Sequence, residues 1–210
     1  MTLQANNIRC TRQQNTLFAD LSFCLQPGEI ILVEGDNGSG KSSLLRLLVG
    51  LSTPDAGAVL WQGDCIQATR EEFVKHLHYV GHTNGVKLGL TVWENLQLAG
   101  CLSSFRVPDQ VRHAESSATL QSLGLSEYAN TPAKHLSAGQ QRKIAIAKLF
   151  MFPKSLWILD EPLTALDATS QKLFITTLEA HLKQGGMCVM TSHHAIHFQH
   201  ITPTSLRLSS

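Results

Sequence analysis

The segment Gly35-Asp36-Asn37-Gly38-Ser39-Gly40-Lys41-Ser42 carries the spacing G-x-x-x-x-G-K-[ST]. Its glycines let the backbone curl, so that successive N–H groups point into one concavity that suits phosphate oxygens. A helix that starts where the loop ends adds its positive N-terminus to the same anion site. Lys41 brings a point charge for the β- and γ-phosphates of a nucleotide. The Ser42 hydroxyl is a ligand for Mg²⁺, with Ser43 beside it at the start of the helix. The alternative is a glycine-rich turn that happens to hold a lysine, and it leaves the apolar run before the loop and the helical pattern after it unexplained.

A second constellation is Leu156-Trp157-Ile158-Leu159-Asp160-Glu161, an apolar run that ends in two acids. Asp160 at a strand tip can hold the Mg²⁺ shell. Glu161 would face the γ-phosphate and orient or deprotonate the attacking water. Alone, the pair reads as solvated loop acids; in a chain that also carries the phosphate loop, it reads as hydrolytic machinery for Mg-ATP. A third segment, Leu136-Ser137-Ala138-Gly139-Gln140-Gln141-Arg142, opens a helix. Ser137 and Gln140 match the S-x-x-Q capping box, so a capped amphipathic helix is one reading. A small Ser-Ala-Gly turn at a helix N-terminus is also a second anion site.

Rigid elements must hold these residues. Ile30–Glu34, Leu156–Leu159 and Met187–Thr191 are apolar runs that predict buried strands, each leading into a polar motif. Helical stretches lie between them: Ser42–Val49 before Gly50, Ala138–Phe152 before Pro153, and Ala168–Gln184 before Gly185-Gly186. Strands alternating with helices predict a parallel α/β sheet, with ligands beyond the carboxyl ends of the strands. The first 30 residues and Gly57–Gln62 alternate over shorter runs and predict an antiparallel piece flanking the first helix. The middle, about Gly85 to Asn130, is helix-like and without a strand signal, which suggests an inserted helical subdomain.

Taken together, the phosphate loop, the Asp160-Glu161 pair and Leu136–Arg142 resemble the nucleotide-binding subunits of ABC transporters over essentially the whole chain. The resemblance implies a P-loop NTPase of the ABC ATPase type: a RecA-like parallel sheet core with an antiparallel β piece, plus the helical subdomain. Residues 1–84 and 154–210 would form the core and 85–153 the subdomain of a single ATP-binding domain. It implies ATP and Mg²⁺ as cofactors, and a head-to-tail dimer with a second copy of the chain. Ser137 and Gly139 of one copy would close on the γ-phosphate held by the other, with Ala138 in place of the usual first glycine. Ala165-Leu166-Asp167 would be the loop crossing the dimer interface, and His193 the switch histidine contacting the γ-phosphate and the Glu161 region. His193 beside His194 can also be read as a surface histidine.

Two positions depart from that pattern. Where the family has a glutamine after the strand following the first helix, this chain has His82, in Tyr79-Val80-Gly81-His82. A neutral imidazole offers one donor or one acceptor and not the amide's pair, so a catalytic role at Mg²⁺ and water would differ there. Where the family often stacks an aromatic on adenine, counting back from Gly35 gives Arg12, whose guanidinium plane can stack on a base or stand exposed. In ABC motors the surface between His82 and Leu90, with the helical segment after it, receives a helix from the integral membrane transporter subunit. Val86, Leu88 and Leu90 suit that role or simply pack the subdomain.

Composition narrows the classes. The chain has 210 residues with 17 basic and 16 acidic side chains, so no basic face points to nucleic acid. Charged residues make up 16%, low for a soluble protein, which fits a surface covered by partners or ordinary variation. The ten histidines read as scattered surface groups. Five widely spaced cysteines without C-x-x-C argue against a disulfide framework or a zinc site and for a reducing compartment. The N-terminus lacks the apolar core of a signal peptide, and no run of about 18 apolar residues exists to span a bilayer. A guanine-reading N-K-x-D is absent, against a GTPase.

Several segments, Val80-Gly81-His82, Leu136–Arg142, Leu156–Pro162 and Gln184-Gly185-Gly186, further resemble the ATPases of bacterial cytochrome c maturation. That resemblance implies a peripheral place on the cytoplasmic face of the inner membrane. It also implies work on haem export or on release of a haem-loaded chaperone. The alternatives are an ABC motor for a lipid, peptide or metal, and a non-transport ABC ATPase. The latter usually carries coiled-coil arms or tandem cassettes, and neither is found here.

Overall fold

Leu3, Ala5 and Ile8 alternate with more exposed positions, the pattern of a strand buried on one face. They lie on β1 (Leu3–Arg12), which pairs antiparallel with β2 (Asn15–Leu25). There follow β3 (Ile30–Glu34), α1 (Lys41–Leu48), β4 (Ala56–Trp61), β5 (Asp64–Cys65), α2 (Arg70–His76), β6 (Leu77–Val80) and α3 (Val92–Leu102). The second half adds α4 (Ala138–Met151), β7 (Leu156–Leu159), α5 (Ala168–Lys183), β8 (Met187–Thr191) and β9 (Thr204–Arg207). The structure, a computed structural model, describes residues 1–13, 15–103, 117–192 and 196–208.

The strands form two sheets. One has the order β2-β1-β4-β5 and the other the order β6-β7-β8-β3-β9. Pairs β1/β2, β1/β4 and β4/β5 are antiparallel; β3/β8, β7/β8 and β3/β9 are parallel. Every residue of β7 and β8 is buried, as expected of central strands covered on both faces. The chain divides into two compact units: Met1–Tyr79, Lys154–Glu161 and Leu178–Ser210 make the first, Val80–Pro153 and Pro162–Thr177 the second.

In the first unit α1 is the keystone. Leu44, Leu45, Leu47 and Leu48 are wholly buried and form one apolar face of the helix, opposite exposed Ser42 and Arg46. They join one apolar cluster with Leu3, Ala5 and Ile8 of β1, Val59 and Trp61 of β4, and Ile31, Val33, Ile158 and Val189 of the parallel sheet. Each such leucine cut to alanine costs about 2–5 kcal/mol. That packing fixes where the first turn of α1 lies.

The second unit has its own core of Val92, Leu96, Leu120, Leu123, Leu125, Ile144, Ala147 and Phe152. Helix α3 begins at a capping box, Thr91 accepting from the Glu94 amide and Glu94 from the Thr91 amide. Buried Asn95 folds the turn before it, donating to Lys87 O, Leu90 O and Thr91 O and accepting from Lys87 N. Helix α4 ends at Met151, with Phe152 as its C-cap ahead of Pro153.

Candidate functional site

The register of the parallel sheet aligns three strand ends. Val33 on β3 lies beside Thr191 on β8, and Leu159 on β7 beside Met190. Gly35, Asp160 and Ser192 therefore leave the same edge of the sheet from adjacent strands, where open α/β sheets bind their ligands.

Gly35 turns the chain away from β3 with φ of +146°. A Cβ there would lie 2.6 Å from both Leu208 O and Ser39 Oγ, so only glycine fits. Beyond it the loop closes on Lys41, whose ammonium is buried and donates to Gly35 O at 2.7 Å and Asp36 O at 3.0 Å. Asp36, Asn37 and Gly38 are exposed on the loop's outside, whereas Ser39 and Gly40 are buried. Gly40 is the N-cap of α1, without a side-chain cap bond, and no acid stands in the first turn. The first amides of α1 are thus left to an outside anion, and the macrodipole favours one. Ser42 is exposed and Ser43 half-buried in that turn.

At the tip of β7 Asp160 is buried, with 4% exposure. Its Oδ1 accepts from the Thr191 hydroxyl at 2.8 Å, and the same hydroxyl oxygen accepts from the Glu161 amide at 2.8 Å. Glu161 has φ of +48°, an uncommon conformation for a residue with a side chain. Burial, and then the nearby charge of Asp160, push the Tyr79 phenol pKa up. Asp160 and the Ser42 hydroxyl are hard oxygen donors of the kind Mg²⁺ prefers, so the residue set fits that ion.

The second unit holds Ser137, Gly139 and His82. Ser137 caps α4 with the expected box: its hydroxyl accepts from the Gln140 amide at 3.2 Å, and Gln140 Oε1 accepts from the Ser137 amide at 2.9 Å. Ala138 is exposed. Gly139, by contrast, lies on the backbone of Ala165, where a Cβ would stand 2.5 Å from Ala165 O. The chain accepts a methyl at 138 and excludes one at 139 for that reason. Lys143 of the same helix reaches Asp167 Oδ2 at 2.6 Å, and Asp167 also accepts from the Ser170 amide at the start of α5. The Lys143 bond, with that amide, holds the Asp167 carboxyl pKa far below its usual range.

His82 is exposed in the bend after β6. Its loop is held from α4. Arg142, 5% exposed, donates to Gly81 O at 3.0 Å, Asn84 Oδ1 at 2.9 Å and Pro162 O at 3.4 Å. Lys148 donates to Gly85 O at 3.1 Å, its pKa lowered by burial and then by Lys87. Arg12 is exposed at the end of β1, opposite Asn15. His193 lies outside the described residues. The strand ends of the first unit thus bring Gly35–Ser43, Asp160 and Glu161 together, whereas Ser137, Gly139 and His82 belong to the second unit.

Sequence reasoning missed Thr191 and Arg142 as parts of this machinery. Thr191 entered only as the last residue of the Met187–Thr191 strand. Arg142 gave a faint signal, a charged side chain on the inward stripe of a helix.

The ABC transporter family profile matches residues 18–164. The chain is 41% identical over 207 residues to the cytochrome c biogenesis ATP-binding export protein CcmA of Nitrosomonas europaea, covering 99% of this chain and 95% of that protein. It is 42% identical over 191 residues to the protein of that description from Yersinia pseudotuberculosis serotype I, covering 91% and 85%. Among solved structures, an ATP-binding subunit of an ABC transporter superposes with a TM-score of 0.82 at 23% identity, over 92% of this chain and 80% of that one. A dimeric ATP-binding cassette in a post-hydrolysis state bound to ADP and Pi superposes with a TM-score of 0.79 at 22% identity, over 91% and 88%. The chain belongs to the ABC transporter family and is one of its nucleotide-binding ATPases.

Proposed function

We propose that this chain is the ATP-hydrolysing motor of a membrane export assembly serving c-type cytochrome biogenesis, with haem or a haem-loaded chaperone as the cargo. The observation that carries the motor reading is the alignment of the phosphate loop with Asp160 and Glu161 at the ends of β3 and β7, on either side of β8. The cytochrome c reading rests on the 41% identity over 99% of the chain to a CcmA protein.

Two copies face each other head to tail. The loop Gly35–Ser43 and Lys41 of one copy hold the phosphates of ATP, and Ser137 and Gly139 of the other close over the γ-phosphate. Ser42 and Asp160 would hold Mg²⁺, which spreads the charge that develops on the phosphates when it is bound. Glu161 orients a water for in-line attack and takes its proton. Arg12 lies against the base. His82, on its clamped loop, and His193 report the state of the γ-phosphate. The motor works on integral membrane subunits from the cytoplasmic face; among the described residues no helix is itself long and apolar enough to cross a membrane.

A Glu161→Gln variant should bind ATP and dimerise while turnover falls about a hundred-fold or more. Wild-type turnover in that variant would remove Glu161 from its role. Deletion of the gene should abolish c-type cytochromes in membranes stained for covalent haem. Unchanged cytochrome levels would leave the motor reading standing and defeat the cargo.

A further inference from the structure

We infer that Thr191 is a positioning residue for hydrolysis: its single hydroxyl sets the backbone of Glu161 and the rotation of the Asp160 carboxylate at once. Thr191 is the last residue of β8 and has no exposed surface. Its O–H donates to Asp160 Oδ1 at 2.8 Å and its oxygen accepts from the Glu161 N–H at 2.8 Å. Both ends of the bridge are therefore used, and they fall on consecutive residues of the neighbouring strand end.

The conformation it secures needs securing. Glu161 sits at φ of +48°, where a side chain crowds its own backbone and where residues stay only if their surroundings hold them. The amide bond to Thr191 is such a hold. Without the acceptor, a φ below zero becomes available to Glu161, and the Cβ then points the carboxylate elsewhere. The same loss removes a hydrogen bond that sets the rotation of the Asp160 carboxylate. β8 also leads directly into Ser192 and the residues that follow, so a shift of this strand is felt by both acids through one oxygen.

The inference rests on the proposed role of Glu161, and its test separates the two. Thr191→Val keeps the shape and removes both hydrogen bonds; Thr191→Ser keeps the hydroxyl. Purified chain is assayed for ATP turnover with kcat and KM resolved, for ADP affinity by calorimetry, and for thermal stability, with Glu161→Gln measured alongside. The valine variant is expected to lose about ten- to hundred-fold in kcat, with KM and the ADP Kd within about two-fold of wild type. The serine variant should recover at least about half of kcat. If the valine variant melts below assay temperature, Thr191→Cys, with its weak donor and weak acceptor, takes its place and should show an intermediate kcat. Wild-type kcat in the valine or cysteine variant, or equal loss in the serine variant, overturns the inference. Wild-type kcat in Glu161→Gln overturns the reading beneath it instead.

Discussion

Helices α1 and α4 both begin at segments whose residue types suit a phosphate, yet they begin in opposite ways. α1 starts at Gly40, in a left-handed conformation and without any side-chain cap. α4 starts at Ser137 inside a closed capping box, in which the Ser137 hydroxyl serves the Gln140 amide and the Gln140 side chain serves the Ser137 amide. A helix start with unserved amides gains from an anion whatever else is near; a capped one gains little. The start of α1 therefore suits an anion by itself, whereas the proposed role of the Ser137 turn is to add to a site held by other residues. In that proposed role the turn offers a hydroxyl and a close backbone to a phosphate brought to it.

The largest expected break in that contrast is Lys41→Ala. The ammonium is buried in the loop, and its loss should weaken ATP binding about a hundred-fold, measured by calorimetry. Ser137→Ala should leave that affinity unchanged in the isolated chain. Next comes the pair at 138 and 139. Gly139→Ala should destabilise the second unit by about 1–3 kcal/mol, because its methyl meets Ala165 O. Ala138→Gly at the exposed neighbour should cost under about 1 kcal/mol, and denaturant unfolding distinguishes the two. Equal costs would mean that the Ala165 backbone yields.

Removing the caps sharpens the comparison further. Ser137→Ala should cost about 1 kcal/mol of stability, and Ser42→Ala, in an exposed turn with no side-chain cap, under about 0.5 kcal/mol. The smallest effect is a difference in acid sensitivity. Burial lowers the His181 pKa below its ordinary 6.5, so its neutral form stabilises the first unit above that value and the benefit fades as pH falls below it. Asp167 is lowered from 3.8, so its stabilisation of the second unit is complete above that value and lost only in stronger acid. Amide exchange followed from pH 7 downward should loosen α5 and β8 around His181 before the start of α4 near Lys143. His181→Phe should remove the first step.

The parts of this arrangement that were legible in the sequence share a physical cause. β3, β7 and β8 are covered on both faces, so each reads as an unbroken apolar run, and the motifs follow directly from them. β9 was not legible: Thr204–Arg207 is polar, mostly exposed and a strand only because it pairs with β3. α2 was missed because just one of its residues, Phe73, is buried. Within the site, the glycines, Lys41 and the acids announce themselves by type. The bends at Glu161 and Ala165 do not, since both residues take positive φ without being glycine. Gly139 could be read as small, but the carbonyl that forbids a larger residue lies on a loop many positions away.

β9 has a consequence for how the chain comes to life. Leu208 O is one wall against Gly35, the Leu208 amide donates to Glu34 O at 2.9 Å, and Ser205 bonds to Glu34 across 171 residues of chain. On the ribosome the phosphate loop is made early and its wall late. A growing chain carries the loop sequence for most of its synthesis without the strand that stands against Gly35. A chain cut short before Thr204 would leave Gly35 without that neighbour. The turn that opens the phosphate loop is, in the order of assembly, among the last parts to be enclosed.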